Sequence, residues 1–361
     1  MQQDERHWEV VVIGAGQAGL AAAYELKRAG VPFVCLDRQE RIGQTWRERY
    51  DSLQLFTPRS FSSLPGLPLS GAPGGYPRKD ELADYLQAYA RAFELPVLSG
   101  TIVEKVTSCR TAAGGRFRLE TSRGAMTARH IVVATGPFQQ PVVPALSAEL
   151  DPGVLQLHSS SYKRPQQLQP GPTVVVGAGN SGAQIAVELA QQGSDVLLSA
   201  STPIRYAPLT LLGTSVFTWL TRTGIVYASA RSPLGAWLQK RPDPVFGREL
   251  RDAVRAGHIQ LKGRTTSVQG RRLRFADGTE AEAANVIWAT GFRSDYSWLA
   301  VPGALDETGR PRHLNGVSEV NGLFYIGLLW QRSRSSALVG GVGRDAAYVI
   351  GKLLAQRTHS V

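Results

Sequence analysis

The segment VVVIGAGQAG, from Val10 to Gly19, decides the fold, and the chain answers it with VVVGAGNSG from Val174 to Gly182. A glycine triplet of this spacing is a weak signal alone, but each one here follows a β-branched run and precedes a good helix former, LAAAYELKRAG or AQIAVELAQQG. That context reads as strand, tight turn and helix. Gly14 and Gly177 make the turn, Gly16 and Gly179 let backbone approach a diphosphate, and Gly19 and Gly182 allow close packing of helix on strand. Gln17, Ala18, Asn180 and Ser181 complete two helix N-termini whose free N–H groups favour an anion.

Aligning the units glycine for glycine sets Asp37, at the end of FVCLD, against Ala200, at the end of VLLSA. A carboxylate there hydrogen-bonds the hydroxyls of an unmodified adenosine ribose, so the first site reads as FAD. Its loss from the second leaves room for a 2′-phosphate, with Ser201, Thr202 and Arg205 as partners, so that site reads as NADPH. Each unit also ends alike, RFRLETSRGAMTARHIVVATG closing on Ala134, Thr135 and Gly136, and RLRFADGTEAEAANVIWATG on Ala289, Thr290 and Gly291. Both read as a hairpin feeding a buried strand. A period of roughly 115 to 120 residues is too long for a solenoid and indicates two related domains.

The fold class expected is therefore α/β, with two Rossmann-like dinucleotide-binding domains of the disulfide-reductase-like flavoprotein type. Proline- and glutamine-rich stretches, GPFQQPVVPAL and SYKRPQQLQPGP, mark the boundary. The tail after Gly291 carries no fingerprint and is expected to return to the first domain. This assigns residues 1–160 and 294–361 to a discontinuous FAD domain and residues 165–293 to an inserted NADPH domain.

With 43% hydrophobic and 19% charged residues the chain is an ordinary globular one. The acids in MQQDERHWEV do not suit a signal peptide, and no apolar run reaches membrane-spanning length, so a cytoplasmic protein is expected. Two cysteines, Cys35 and Cys109, form no C-x-x-C pair, which argues against a dithiol relay. The six histidines show no metal-ligand spacing, and no metal is expected. A net charge of +11 is spread along the chain without a basic-aromatic module, so nucleic acid is not an expected partner. An acidic electron-transfer protein is compatible with that charge, and a homodimer with the sequence. The apolar stretch LTLLGTSVFTWLTRTGIVYASARSPLGAWLQKR reads as a helical subdomain near the substrate entrance, the alternative being a membrane-surface element.

Nearly the whole chain resembles the single-component flavin-containing monooxygenases and their bacterial relatives, including arsenic-operon monooxygenase-like proteins. The resemblance rests on the paired fingerprints, GQTW from Gly43, YDSLQLFTPRSFSSLPGLP from Tyr50, YPRKDELADYL from Tyr76, LHSSSYK from Leu157 and the late QRSRSSALVGGVGRDAAYV. Of the family pattern F-x-G-x-x-x-H-x-x-x-(Y/F), His158 and Tyr162 match, while Pro152 and Val154 replace the phenylalanine and glycine. By resemblance, the first fingerprint with Asp37, Arg38, Gln44, Trp46 and Leu53 holds FAD, Val103 lies near the adenine, Thr57 near the flavin, and Gln331 and Arg332 near its reactive ring. His158 reads as a linker histidine satisfied by backbone.

The resemblance implies that NADPH reduces the flavin, which activates dioxygen as a 4a-hydroperoxyflavin and oxygenates a small substrate at a heteroatom or carbonyl. One departure stands out: Phe56 occupies the position, three residues before Arg59, where many members carry an asparagine that steadies the peroxide. The alternative is therefore an NADPH-dependent reductase passing electrons to ferredoxin, flavodoxin or a quinone-like acceptor.

Overall fold

The computed structural model describes residues 6–111 and 114–358; the first acids of the chain and His359 lie outside them. The strand Arg6–Ile13 pairs in parallel with Phe33–Leu36 on one side and Gly124–Val133 on the other. Val10 and Val12 face one core cluster while Val11 and Ile13 face another. Alternate side chains of one strand are thus buried on both faces, as a covered parallel sheet requires. The helix Gln17–Arg28 buries Leu20, Ala21, Ala22, Ala23 and Leu26 on that sheet.

The long strand Gly124–Val133 explains how the tail returns. Its first half pairs antiparallel with Phe117–Thr121 as the predicted hairpin, and its last three residues, Ile131 to Val133, pair in parallel with Leu323–Tyr325. Beyond Leu323–Tyr325, the helix Val339–Thr358 packs on Gln17–Arg28. Gly327 comes so near the first turn of Gln17–Arg28 that a Cβ there would sit 2.7 Å from the Ala18 methyl.

A second, all-parallel sheet has the order Ile259–Lys262, Val196–Ser199, Thr173–Val176, Asn285–Trp288, Leu155–His158. The last strand corrects the expected boundary. Leu155–His158 falls inside the span 1–160 assigned to the first domain, yet it pairs with Asn285–Trp288, and Leu150 and Val154 pack in the second core. The crossover lies earlier, in the first proline-rich stretch, where Gln140–Pro141 pairs antiparallel with Phe292–Arg293 of the returning chain. Four residues, LQLH, were too short to stand out as a strand without their partner.

The apolar stretch from Leu209 to Arg241 folds as a short hairpin, Thr210–Leu211 with Thr214–Ser215, and two helices, Val216–Arg222 and Pro233–Gln239. Phe217 and Val226 bury themselves against Phe61 of the first unit. No helix among the described residues is long and apolar enough to cross a membrane.

Candidate active site

Both fingerprints lie at the carboxyl ends of central parallel strands, where open α/β sheets bind ligands. Their glycines divide the work identically. A Cβ on Gly14 would sit 2.6 Å from the Ala134 carbonyl oxygen, and one on Gly177 would sit 2.4 Å from that of Ala289. The recurrence of Ala-Thr-Gly thus has a steric reason: its alanine carbonyl abuts the first glycine of its own unit. Gly19 and Gly182 lock the turn from the helix side, since a Cβ there would fall 1.8 and 1.9 Å from the carbonyl oxygens of Gly14 and Gly177. Gly16 and Gly179 face open space. The helices they begin, Gln17–Arg28 and Asn180–Gln191, have no side-chain N-cap, so their first N–H groups are free to take an anion. Two diphosphate groups fit this donor set.

The units differ where the riboses are read. Asp37 accepts from the amide of Ala15 at 2.6 Å and of Gln39 at 2.8 Å, which fixes the carboxylate and leaves acceptor capacity for hydroxyls. Thr101 N–H donates to the Asp37 carbonyl at 2.8 Å, bringing the segment that leads to Val103 past the same end. Trp46 Nε1 donates to Gln17 Oε1 at 3.4 Å and packs on the first core. Gly43, at φ 81°, seats the GQTW segment against Ala83, while Gln44 donates to Glu48 at 3.2 Å and Arg38 is exposed. Thr57 is buried, its hydroxyl bonded to Ser62 at 2.8 Å; Leu53 touches the cores of both units.

In the second unit Ala200 follows Val196–Ser199 as Asp37 follows Phe33–Leu36, and Ser201, Thr202 and Arg205 are exposed beside it. Lys262, whose carbonyl accepts from Ala200 N–H at 3.0 Å, adds a cation that the sequence alone did not single out, because strand pairing delivers it. Asn180 does more than continue a fingerprint. Its amide donates to Pro244 O and accepts from Phe246 N, both at 3.1 Å, pinning Val245–Phe246 to the helix start. The ring of Phe246 then stacks on Phe56 at 4.7 Å and 13°. With Phe217 and Phe61, 5.3 Å apart, these rings form an aromatic wall across the two units. Phe56 is therefore part of an apolar wall where an amide would have stood.

Gln331 and Arg332, expected at the reactive ring by resemblance, have side chains engaged by neighbouring groups of the chain. Gln331 is buried; its amide donates to Tyr325 O at 2.9 Å and accepts from Leu328 N at 3.3 Å, bracing its own loop. Arg332 lies 4.1 Å over the Tyr348 ring and 3.3 Å from Asp345, whose carboxyl is pushed up by burial. His158 ends the strand Leu155–His158 and not a linker, but its ring is satisfied by backbone as the sequence suggests. Nδ1 accepts from Ser160 N–H at 3.1 Å, so Nε2 carries the proton and donates to Gly291 O at 3.0 Å; burial holds the ring below the usual histidine range, hence neutral.

Tyr50 joins the units, its hydroxyl donating to Gln184 Oε1 at 3.0 Å beside Ser181. Its neighbour Arg49 lies 4.9 Å from the ring of Phe292 and 5.9 Å from that of Phe138. A shallow cavity of about 440 Å³ between Thr173 and Asp195 lies at the amino ends of the second sheet, away from both fingerprints, and has no part in this site. Of the two free cysteines, Cys35 is fully buried and its thiol is pushed up by burial and by Asp37, which makes it inert.

Residues 11–209 match the family described as pyridine nucleotide-disulphide oxidoreductase. The chain is 48% identical over 346 residues to a CzcO-like oxidoreductase of Geobacillus kaustophilus, covering 96% of this chain and 98% of that one. It is 31% identical to the indole-3-pyruvate monooxygenase YUCCA1 of Oryza sativa subsp. japonica, covering 88% and 86%. The flavin-containing monooxygenase structure from Stenotrophomonas maltophilia superposes with a TM-score of 0.80 at 28% identity, covering 97% of this chain and 99% of that one. Fingerprints, tripeptides and full-length similarity agree that the chain is an oxidoreductase of the pyridine nucleotide-disulphide oxidoreductase family, in the group that contains the flavin monooxygenases.

Proposed function

We propose that this enzyme is an NADPH-dependent FAD monooxygenase acting on a small, largely apolar substrate with a heteroatom or carbonyl. The unit built on Arg6–Ile13 would hold FAD, and the unit built on Thr173–Val176 would hold NADPH. The observation that carries the reading is the aromatic wall of Phe56, Phe246 and Phe217, which spans the two units and is tied to the second fingerprint through Asn180. An apolar enclosure of this kind would exclude water from a flavin held beside it, a role that many relatives give in part to the asparagine that Phe56 replaces here. When bound, the flavin supplies hydride acceptance and dioxygen activation; the chain supplies binding, orientation and dryness. Asp37 and the Gly16 cradle orient one nucleotide, the Gly179 cradle with Arg205 and Lys262 the other. With Cys35 buried and Cys109 far from it in sequence, no thiol pair offers the route a disulfide reductase uses.

Rapid mixing of NADPH-reduced protein with oxygenated buffer tests this. A transient flavin adduct, the 4a-hydroperoxyflavin, is expected before reoxidation. Immediate reoxidation with release of hydrogen peroxide, together with brisk reduction of ferredoxin, would instead identify a reductase.

A further inference from the structure

Arg49 lies in the gap between the units, against rings contributed by both. Its guanidinium lies over Phe292, the residue after Gly291, at 4.9 Å, and near Phe138, two residues after Gly136, at 5.9 Å. It therefore stands between the two Ala-Thr-Gly ends. Among the described residues it makes no ion pair and no side-chain hydrogen bond, while Tyr50 beside it is anchored to the second fingerprint's helix through Gln184. Stacking on a ring face leaves the in-plane N–H donors of a guanidinium available, in a fork that suits phosphate. His158, which feels the Arg49 charge across the gap, is held neutral by burial and offers no competing charge, while Glu48 and Lys163 are the ionised groups within electrostatic reach of the guanidinium.

A dinucleotide seated on Asn180–Gln191 must send its nicotinamide half across this gap to reach a flavin in the first unit. We propose that Arg49 binds the nicotinamide-side phosphate of NADPH, so that the first unit supplies a cation to the second unit's cofactor and sets the hydride donor in place. This rests on the two-nucleotide reading above. Arg49 acts as a positioning residue.

Calorimetric titration of the FAD-loaded protein with NADP+ and, separately, with 2′,5′-ADP, which lacks that phosphate, tests it. Arg49→Met keeps the stem that packs on Phe292 and is expected to weaken NADP+ by roughly ten- to a hundredfold, as loss of a charge-assisted hydrogen bond does. Binding of 2′,5′-ADP should stay within about twofold. Unchanged NADP+ affinity overturns the proposal, and so does parallel weakening of both ligands. Should Arg49→Met not fold, Arg49→Gln reads the same two constants. Wild-type protein that binds neither ligand would instead overturn the NADPH reading itself, which keeps the two failures distinct.

Discussion

The Ala134 carbonyl oxygen fills the space that a Cβ on Gly14 would need, at 2.6 Å, and so ties the first fingerprint to the end of a strand more than a hundred residues later. The same relation holds between Ala289 and Gly177. Glycines of one motif consequently have different tolerances. Gly19→Ala would drive a methyl to 1.8 Å from backbone oxygen and should leave no soluble, flavin-loaded protein. Gly16→Ala meets nothing within 4 Å and adopts backbone angles open to alanine, so it should fold normally yet retain at least about tenfold less FAD. Flavin content and the thermal midpoint of each variant check both outcomes; normal flavin retention in Gly16→Ala would remove the diphosphate from that position.

Selectivity between nicotinamide cofactors is expected to turn on one position. Ala200→Asp restores the carboxylate of the first unit and places it beside Arg205 and Lys262. It should raise KM for NADPH by about tenfold or more through repulsion of the 2′-phosphate, with a much smaller effect for NADH. Steady-state flavin reduction with each cofactor measures the ratio.

How much of this was legible in the sequence follows the range of the interactions. The turns, and Asp37 against Ala200, are local patterns or repeats of one, so they could be read from residue order, whereas the tail's return was expected only because it carries no fingerprint of its own. Leu155–His158 could not, because it is a strand only by virtue of Asn285–Trp288. Nothing in the residue order singles out Arg49, because Phe292 and Phe138, the rings around it, come from distant parts of the chain. Gln331 and Arg332 were expected near the ring by resemblance, and only the structure shows the contacts to Tyr325, Asp345 and Tyr348 that hold their side chains. Phe56 was visible as a departure, but its partners Phe246 and Phe217 come from an insertion whose packing no periodicity announces.

Acid should destabilise the first unit. His130 is fully buried between the strand it sits on and Phe324, with Glu9 O at 3.3 Å, the Glu9 carboxylate at 3.7 Å, and Arg116 and Arg129 opposing protonation. Burial lowers its pKa from 6.5 to about 4. The unfolded chain then binds the extra proton first, so the stabilisation is complete above pH 6.5 and is lost as pH falls through 6.5 toward about 4. The loss amounts to at most about 3 kcal/mol. Urea midpoints measured from pH 7.5 to 4.5 should fall, and His130→Gln, which cannot titrate, should flatten part of that slope.

His158 should prove structural. Replacing it with alanine removes a buried donor to Gly291 O and an acceptor for Ser160, at a cost of about 1 to 3 kcal/mol. The rate of flavin reduction by saturating NADPH should change less than about twofold. A loss of a hundredfold at full flavin occupancy would make His158 a participant in chemistry.

Phe56→Asn asks whether the aromatic wall or an amide suits this enzyme. The substitution breaks an offset stack at 4.7 Å on Phe246 and a looser contact at 5.8 Å with Phe217, and it places an amide among Phe61, Val226 and Leu338. Loss of the stack and burial of a polar group should together cost about 2 to 4 kcal/mol of stability. Because Phe246 is held to the second helix by Asn180, loosening Phe56 should also admit water to the gap between units. The expected result is faster decay of the flavin–oxygen adduct and more hydrogen peroxide per NADPH consumed. If Phe56→Asn instead prolongs the adduct, the amide is the better stabiliser even in this setting, and the aromatic wall serves substrate packing alone.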